Sequence, residues 1–192
     1  MRIINMTMLI CLLGCRDGEG PLRSPHLQSP VITGIYLTDA MGVLIGTWGS
    51  PSDLPQPGGR PNGPGNLPLY FDFAGIYPNP SDGITTIRYD LPQANRVKIW
   101  AVRGRTMDEF NDITFGGSNF FSADDLNVQI IEDKYSEAGK YSVLWTRNKD
   151  ISDGFYRIYI QANNLLAWRD AAVFAPCNLP PDLQKFFNWM CD

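Results

Sequence analysis

Histidine, clustered basic charge and long apolar runs are nearly missing from this chain. There is one histidine in 192 residues, His26, and it sits in a polar Gly/Pro-rich stretch, RDGEGPLRSPHLQSP. A Ser-His-Asp nucleophile needs an imidazole held against the serine, so that chemistry is set aside. Lys and Arg total 16 against 20 Asp and Glu, for a formal charge of -4, and the basic residues form no run. That balance argues against nucleic acid or an anionic membrane surface as the main partner. No glycine-rich phosphate loop follows a strand, and Gly116-Gly117 lacks the Lys-Ser/Thr pair that would cradle a nucleotide. With charged residues at 19% and hydrophobic residues at 44%, the chain has enough apolar mass for one well-buried core.

The carboxylates give little more. Acids cluster at Asp108-Glu109, Asp112, Asp124-Asp125 and Glu132-Asp133, all read as loop-like sequence. Glycosidase chemistry needs two acids on a rigid frame, so no enzyme activity is expected. Oxygen-rich loops at the ends of exported sandwiches bind calcium, but this spacing fits no EF-hand. A solvated loop is the plainer account, and no cofactor is expected. Trp100, Trp145 and Trp168 have the chemistry to stack on sugars, although strand tryptophans in a small sandwich more often belong to the core.

The first residues, MRIINMTMLICLLGC, carry one basic side chain, Arg2, and then an apolar run from Met6 to Leu13 too short to span a bilayer. That is the layout of an export signal. Leu12-Leu13-Gly14-Cys15 resembles the bacterial lipobox, in which the signal is cut before a cysteine that then takes lipid. Residues 1–14 are thus expected to be removed, Cys15 to be acylated, and residues 15–30 to be a tether. The competing account is a buried N-terminal strand with an incidental cysteine. Of the four cysteines, Cys11 then leaves with the signal and Cys15 is modified. Cys177 and Cys191 remain as a pair in an exported chain. A disulfide between them is the favoured reading, closing a loop of about fifteen residues for roughly 3 kcal/mol.

Residues 31–48 read as strand, turn and strand, a hairpin; Gly34, Gly42 and Gly46 argue against a helix there. Residues 49–68 (GSPSDLPQPGGRPNGPGNLP) are dominated by Pro and Gly and read as a linker. Beyond them, two-residue alternation organises the chain. Thr85, Ile87 and Tyr89 alternate with Thr86, Arg88 and Asp90; Val97, Ile99 and Ala101 form the next inward row with Trp100 and Val102 opposite, so this strand is expected to be buried on both sides. Phe155, Arg157 and Tyr159 face one way and Tyr156, Ile158 and Ile160 the other. Pro180-Pro181-Asp182 is a helix start, and Leu183, Phe186, Phe187 and Met190 fall at amphipathic spacing. This tail, residues 176–192, is expected to plug the open end of the fold, clipped by the disulfide.

YPNPSDG at 77–83, followed by TTIRYDLP, VKIWAVRGR, AGKYSVLW and SDGFYRIYI, resembles the Ig-like domain of the flagellar hook-capping protein FlgD. Related modules close many secreted proteins of Bacteroidetes. The resemblance covers about half the chain and implies an all-β, Ig-like (fibronectin-like) antiparallel β-sandwich over residues 69–175, not an activity. The chain departs from the pattern in two ways: a tail follows the module, and residues 106–126 (TMDEFNDITFGGSNFFSADDL) form an insertion. Four phenylalanines lie in it: Phe110, Phe115, Phe120 and Phe121. They are the candidate partner-binding residues, with folding back onto the sandwich as the alternative. The expectation is a non-enzymatic, lipid-anchored protein of the cell envelope, at the outer membrane, working through protein-protein contact as an accessory or structural subunit. A cell-surface carbohydrate-binding module is the competing class. Coplanar exposed aromatics would favour sugar, and an apolar loop would favour a protein partner.

Overall fold

The computed structural model describes residues 29–51, 71–108 and 128–187. In chain order the strands are β1 (Val31–Ile32), β2 (Gly34–Thr38), β3 (Leu44–Gly49), β4 (Asp72–Tyr77), β5 (Ile84–Leu91), β6 (Asn95–Arg103), β7 (Arg105–Thr106), β8 (Val128–Ser136), β9 (Gly139–Thr146), β10 (Gly154–Ala162) and β11 (Leu165–Val173). A single helical turn, α1 (Pro181–Gln184), comes after them. Two antiparallel sheets, ordered β4-β5-β9 and β11-β10-β6-β8, pack face to face as a β-sandwich.

The period-two pattern explains which faces meet. On β5, Thr85, Ile87, Tyr89 and Leu91 are buried while Ile84 and Arg88 are exposed. Val97, Ile99 and Ala101 of β6 and Tyr156, Ile158 and Ile160 of β10 line the opposite wall. Each aliphatic or aromatic side chain fully withdrawn from water in this way contributes about 1.5–3 kcal/mol. Trp145 closes the core edge-on against Tyr156, centroids 5.4 Å apart. Its indole N–H donates to Gln129 Oε1 at 2.9 Å, so the ring is buried without an orphaned donor.

A second apolar cluster lies on the far side of the four-stranded sheet. Phe155, Ala172 and Phe174 point outward there and are covered by Ile32, Ile35 and Leu37 of the N-terminal strands and by Leu179, Leu183 and Phe187 of the tail. Trp48 of β3 stacks on Phe155, with centroids 4.6 Å apart and planes 14° from parallel. The β2–β3 hairpin is therefore a third layer. Its two strands close together at Gly34 because that residue has no side chain: a Cβ there would overlap Trp48 O and Ser50 N at the far end of β3.

The tail departs from its expected place. Leu183 and Phe187 are buried, but against the hairpin and the back of β10 and β11, not in the open end of the sandwich. The helix is one turn long, and Phe186, expected on the buried stripe, is exposed. One turn with no side-chain cap cannot hold a four-position stripe, so tertiary contacts select two of its residues. Cys177 is exposed just after the last strand. Cys191 and Met190 lie outside the described residues, as do Cys15, Phe110, Phe115, Phe120 and Phe121.

Candidate functional site

Besides the apolar cluster, one buried amide, Asn79, ties the hairpin to the sandwich. Its Nδ2 donates to Tyr36 O at 2.8 Å on β2 and to Asp170 O at 3.2 Å on β11, while its Oδ1 accepts from Ala172 N–H at 2.9 Å. Its backbone exchanges two hydrogen bonds with Thr38. Pro78 and Pro80 flank it, so the turn read at 77–83 presents an amide with nearly all its hydrogen-bonding capacity used.

Beside this layer, on the outer face of the four-stranded sheet, the register places three aromatic rings in one row. Trp100 of β6 opposes Tyr159 of β10, which opposes Trp168 of β11. Ile130 of β8 continues the row beyond Trp100 and is 60% exposed. Leu166, exposed, lies on the same face two residues before Trp168 on β11, opposite Gln161. Trp100 and Trp168 are half-buried, and Tyr159 between them is buried.

Charge frames the row. Arg157 pairs with Asp170 through two hydrogen bonds of 2.7 and 2.9 Å, and its Nη2 also donates to Val31 O at 3.2 Å. Its guanidinium lies 3.8 Å over the ring of Trp168. Burial works against charge on Arg157, but the hydrogen bonds and charge of Asp170 outweigh it and leave the guanidinium pKa raised. Burial also pushes the Tyr159 hydroxyl up, against the opposing pull of Arg157, so it stays a neutral donor at ordinary pH. Trp100 stacks on Tyr159 with centroids 5.3 Å apart and planes 15° from parallel, and the Lys98 ammonium sits 5.6 Å from the Trp100 ring centre. The rings thus turn faces toward each other and toward cations, a poor platform for stacking a sugar.

The acidic residues do not converge. Glu132 and Asp133, read as loop, lie within β8 on opposite faces. Asp133 takes Arg96 at 2.8 Å and Glu132 takes Lys134 at 3.1 Å. Asp108 ends a described stretch, and Glu109, Asp112, Asp124 and Asp125 lie outside the described residues. Among the described residues no group of three His, Cys, Asp or Glu could hold a metal ion, and no helix is long and apolar enough to cross a membrane.

No family model, curated protein or solved structure matches this chain. From the sequence, Trp100 and Trp168 were expected in the core more than at a binding surface, and Arg157 and Tyr159 were placed on one face of a strand without saying which; the row they form was not foreseen. That alignment depends on cross-strand register, which carries no local signal.

Proposed function

We propose that the protein is a non-enzymatic module of the bacterial cell envelope, exported and anchored through lipid on Cys15, that works by protein-protein contact as an accessory or structural subunit. The observation that carries this reading is the row Ile130, Trp100, Tyr159, Trp168 with Arg157 beside it. Trp, Tyr and Arg are the side chains that dominate binding energy at protein interfaces. Here an exposed aliphatic residue and a polar rim of Lys98 and Gln161 surround them. The resemblance to FlgD-type modules of exported proteins and the lipobox-like start support the location, and a Phe-rich insertion is consistent with a protein partner. Sugar binding is the weaker reading, because the ring faces are engaged within the molecule.

The test is co-purification from solubilised native envelope, comparing the parent with an Ile130→Asp, Trp100→Ala variant. Partner recovery falling a hundredfold or more, with a melting temperature within a few degrees of the parent, supports the reading. Full recovery by the variant, or binding to a panel of envelope polysaccharides that the variant loses, overturns it.

A further inference from the structure

We propose that the turn joining β2 and β3, together with the first residues of β3, dips its apolar side chains into the bilayer that anchors the chain; the proposal rests on the acylation of Cys15 read from the sequence. Met41 is 81% exposed, Val43 58%, Leu44 53% and Ile45 45%. Four large apolar side chains within five positions exceed what a soluble surface normally leaves uncovered.

The turn is built to present them. The Asp39 carboxylate accepts from Met41 N–H at 2.9 Å and Val43 N–H at 2.8 Å. Asp39 N–H donates to Val43 O at 3.0 Å, and Gly42 N–H donates to Asp39 O at 3.1 Å. Gly42 takes φ +81° against the ring of Tyr77, a conformation that other residues adopt only under strain. The side chains are thus held outward on a fixed loop, and the loop on a hairpin locked by Asn79.

Composition, size and reach favour lipid as the occupant. Residues 40–51 carry no charged side chain, so none of them brings the penalty of burying an ion. Phe186 extends the apolar surface beside Gly46, and the Lys185 ammonium lies 5.2 Å over its ring, positioned for an anionic headgroup. A stable protein interface takes about 20–30 residues from each side, far more than this turn offers. A bilayer makes no such demand, because apolar side chains free of charge partition into it without a shaped partner surface. The chain from Cys15 to Ser29 reaches up to about 50 Å when extended, and a five-residue strand spans about 17 Å. The tether therefore lets the turn meet the membrane.

The experiment uses the mature chain from residue 15 with Cys15→Ser, which cannot be acylated, floated with vesicles of phosphatidylethanolamine and phosphatidylglycerol at three to one. The parent is expected to float, and Val43→Asp with Leu44→Asp to lower the bound fraction tenfold or more with melting temperature and Trp48 emission unchanged. No flotation of the parent, or equal flotation of the two, overturns the proposal. A parent that stays unbound but is dimeric by light scattering, while the variant is monomeric, also overturns it and makes the turn a contact between copies. The acylation reading is checked separately: full-length Cys15→Ala that still pellets with membranes and keeps residues 1–14 refutes the anchor without touching the flotation result.

Discussion

Asn79→Ala is expected to loosen the hairpin layer from the sandwich while leaving the sandwich core intact. The substitution removes three side-chain hydrogen bonds and leaves Ala172 N–H, Tyr36 O and Asp170 O without that partner. Asn79 is buried, so water reaches these groups only if the layer opens. A buried polar group stripped of its partner costs about 1–3 kcal/mol, with carbonyls toward the low end because each has a second lone pair. The sum is about 3–5 kcal/mol, a large share of the 5–15 kcal/mol typical of a folded domain. Urea melts followed in parallel by far-ultraviolet dichroism and Trp emission provide the assay. Trp48, stacked on Phe155 across the layer boundary, should move to a wetter environment before the strand signal is lost. Asn79→Asp, which keeps the acceptor for Ala172 N–H but loses both donors, should fall between parent and Ala. A loss under about 1 kcal/mol for Asn79→Ala, with a single coincident transition, would refute the idea that this amide holds the hairpin in place.

Other outcomes follow from the charges and cysteines. Asp170→Ala strands Arg157 on the half-buried face and should cost about 3–5 kcal/mol, whereas Arg157→Met with Asp170→Leu should cost far less; equal losses in denaturant melts would contradict the pairing. Burial pushes the Asp153 carboxyl up, but Asn178 Nδ2, Ala175 N–H and Arg147 outweigh it and hold it below the usual range. Because this pKa is depressed, the stabilisation is fully present above about pH 4 and is lost as pH falls through the native value. The stability gap between parent and Asp153→Asn should accordingly shrink in strong acid, and a constant gap from pH 7 to pH 2 would sink the assignment. Non-reduced tryptic peptides should contain Cys177 and Cys191 in one linked species; two separately alkylated thiols would remove the clip.

Strands were the legible part of this chain. Alternation on β5 and β6 picked out the inward rows, and on β10 it separated the two sets of side chains without saying which faces the core, because a half-buried strand writes its environment at every second residue. The hairpin was readable from its glycines, yet its docking was not: Asn79 bonds residues 43 and 91 positions away in sequence. The tail shows the same limit. Its apolar spacing suggested a stripe over a turn or two, but tertiary contacts bury Leu183 and Phe187 and leave Phe186 out. Glu132 and Asp133 misled because acids at a strand edge resemble acids in a loop, and only the pairing of β8 with β6 tells them apart. The exposed turn at 41–45 gave no warning, since Val43, Leu44 and Ile45 read equally well as the start of a buried strand.

Site-specific photo-crosslinking in intact cells tests the contact surface most directly. A photoreactive residue at position 130 probes the aromatic row, and the same residue at position 144, where Leu144 is 65% exposed on the outer face of the other sheet, serves as the comparison. The account predicts a discrete protein adduct from position 130 that disappears with Trp100→Ala, and none from position 144. Equal adducts at both positions, or none at 130 in cells where the partner assembly is present, would contradict it.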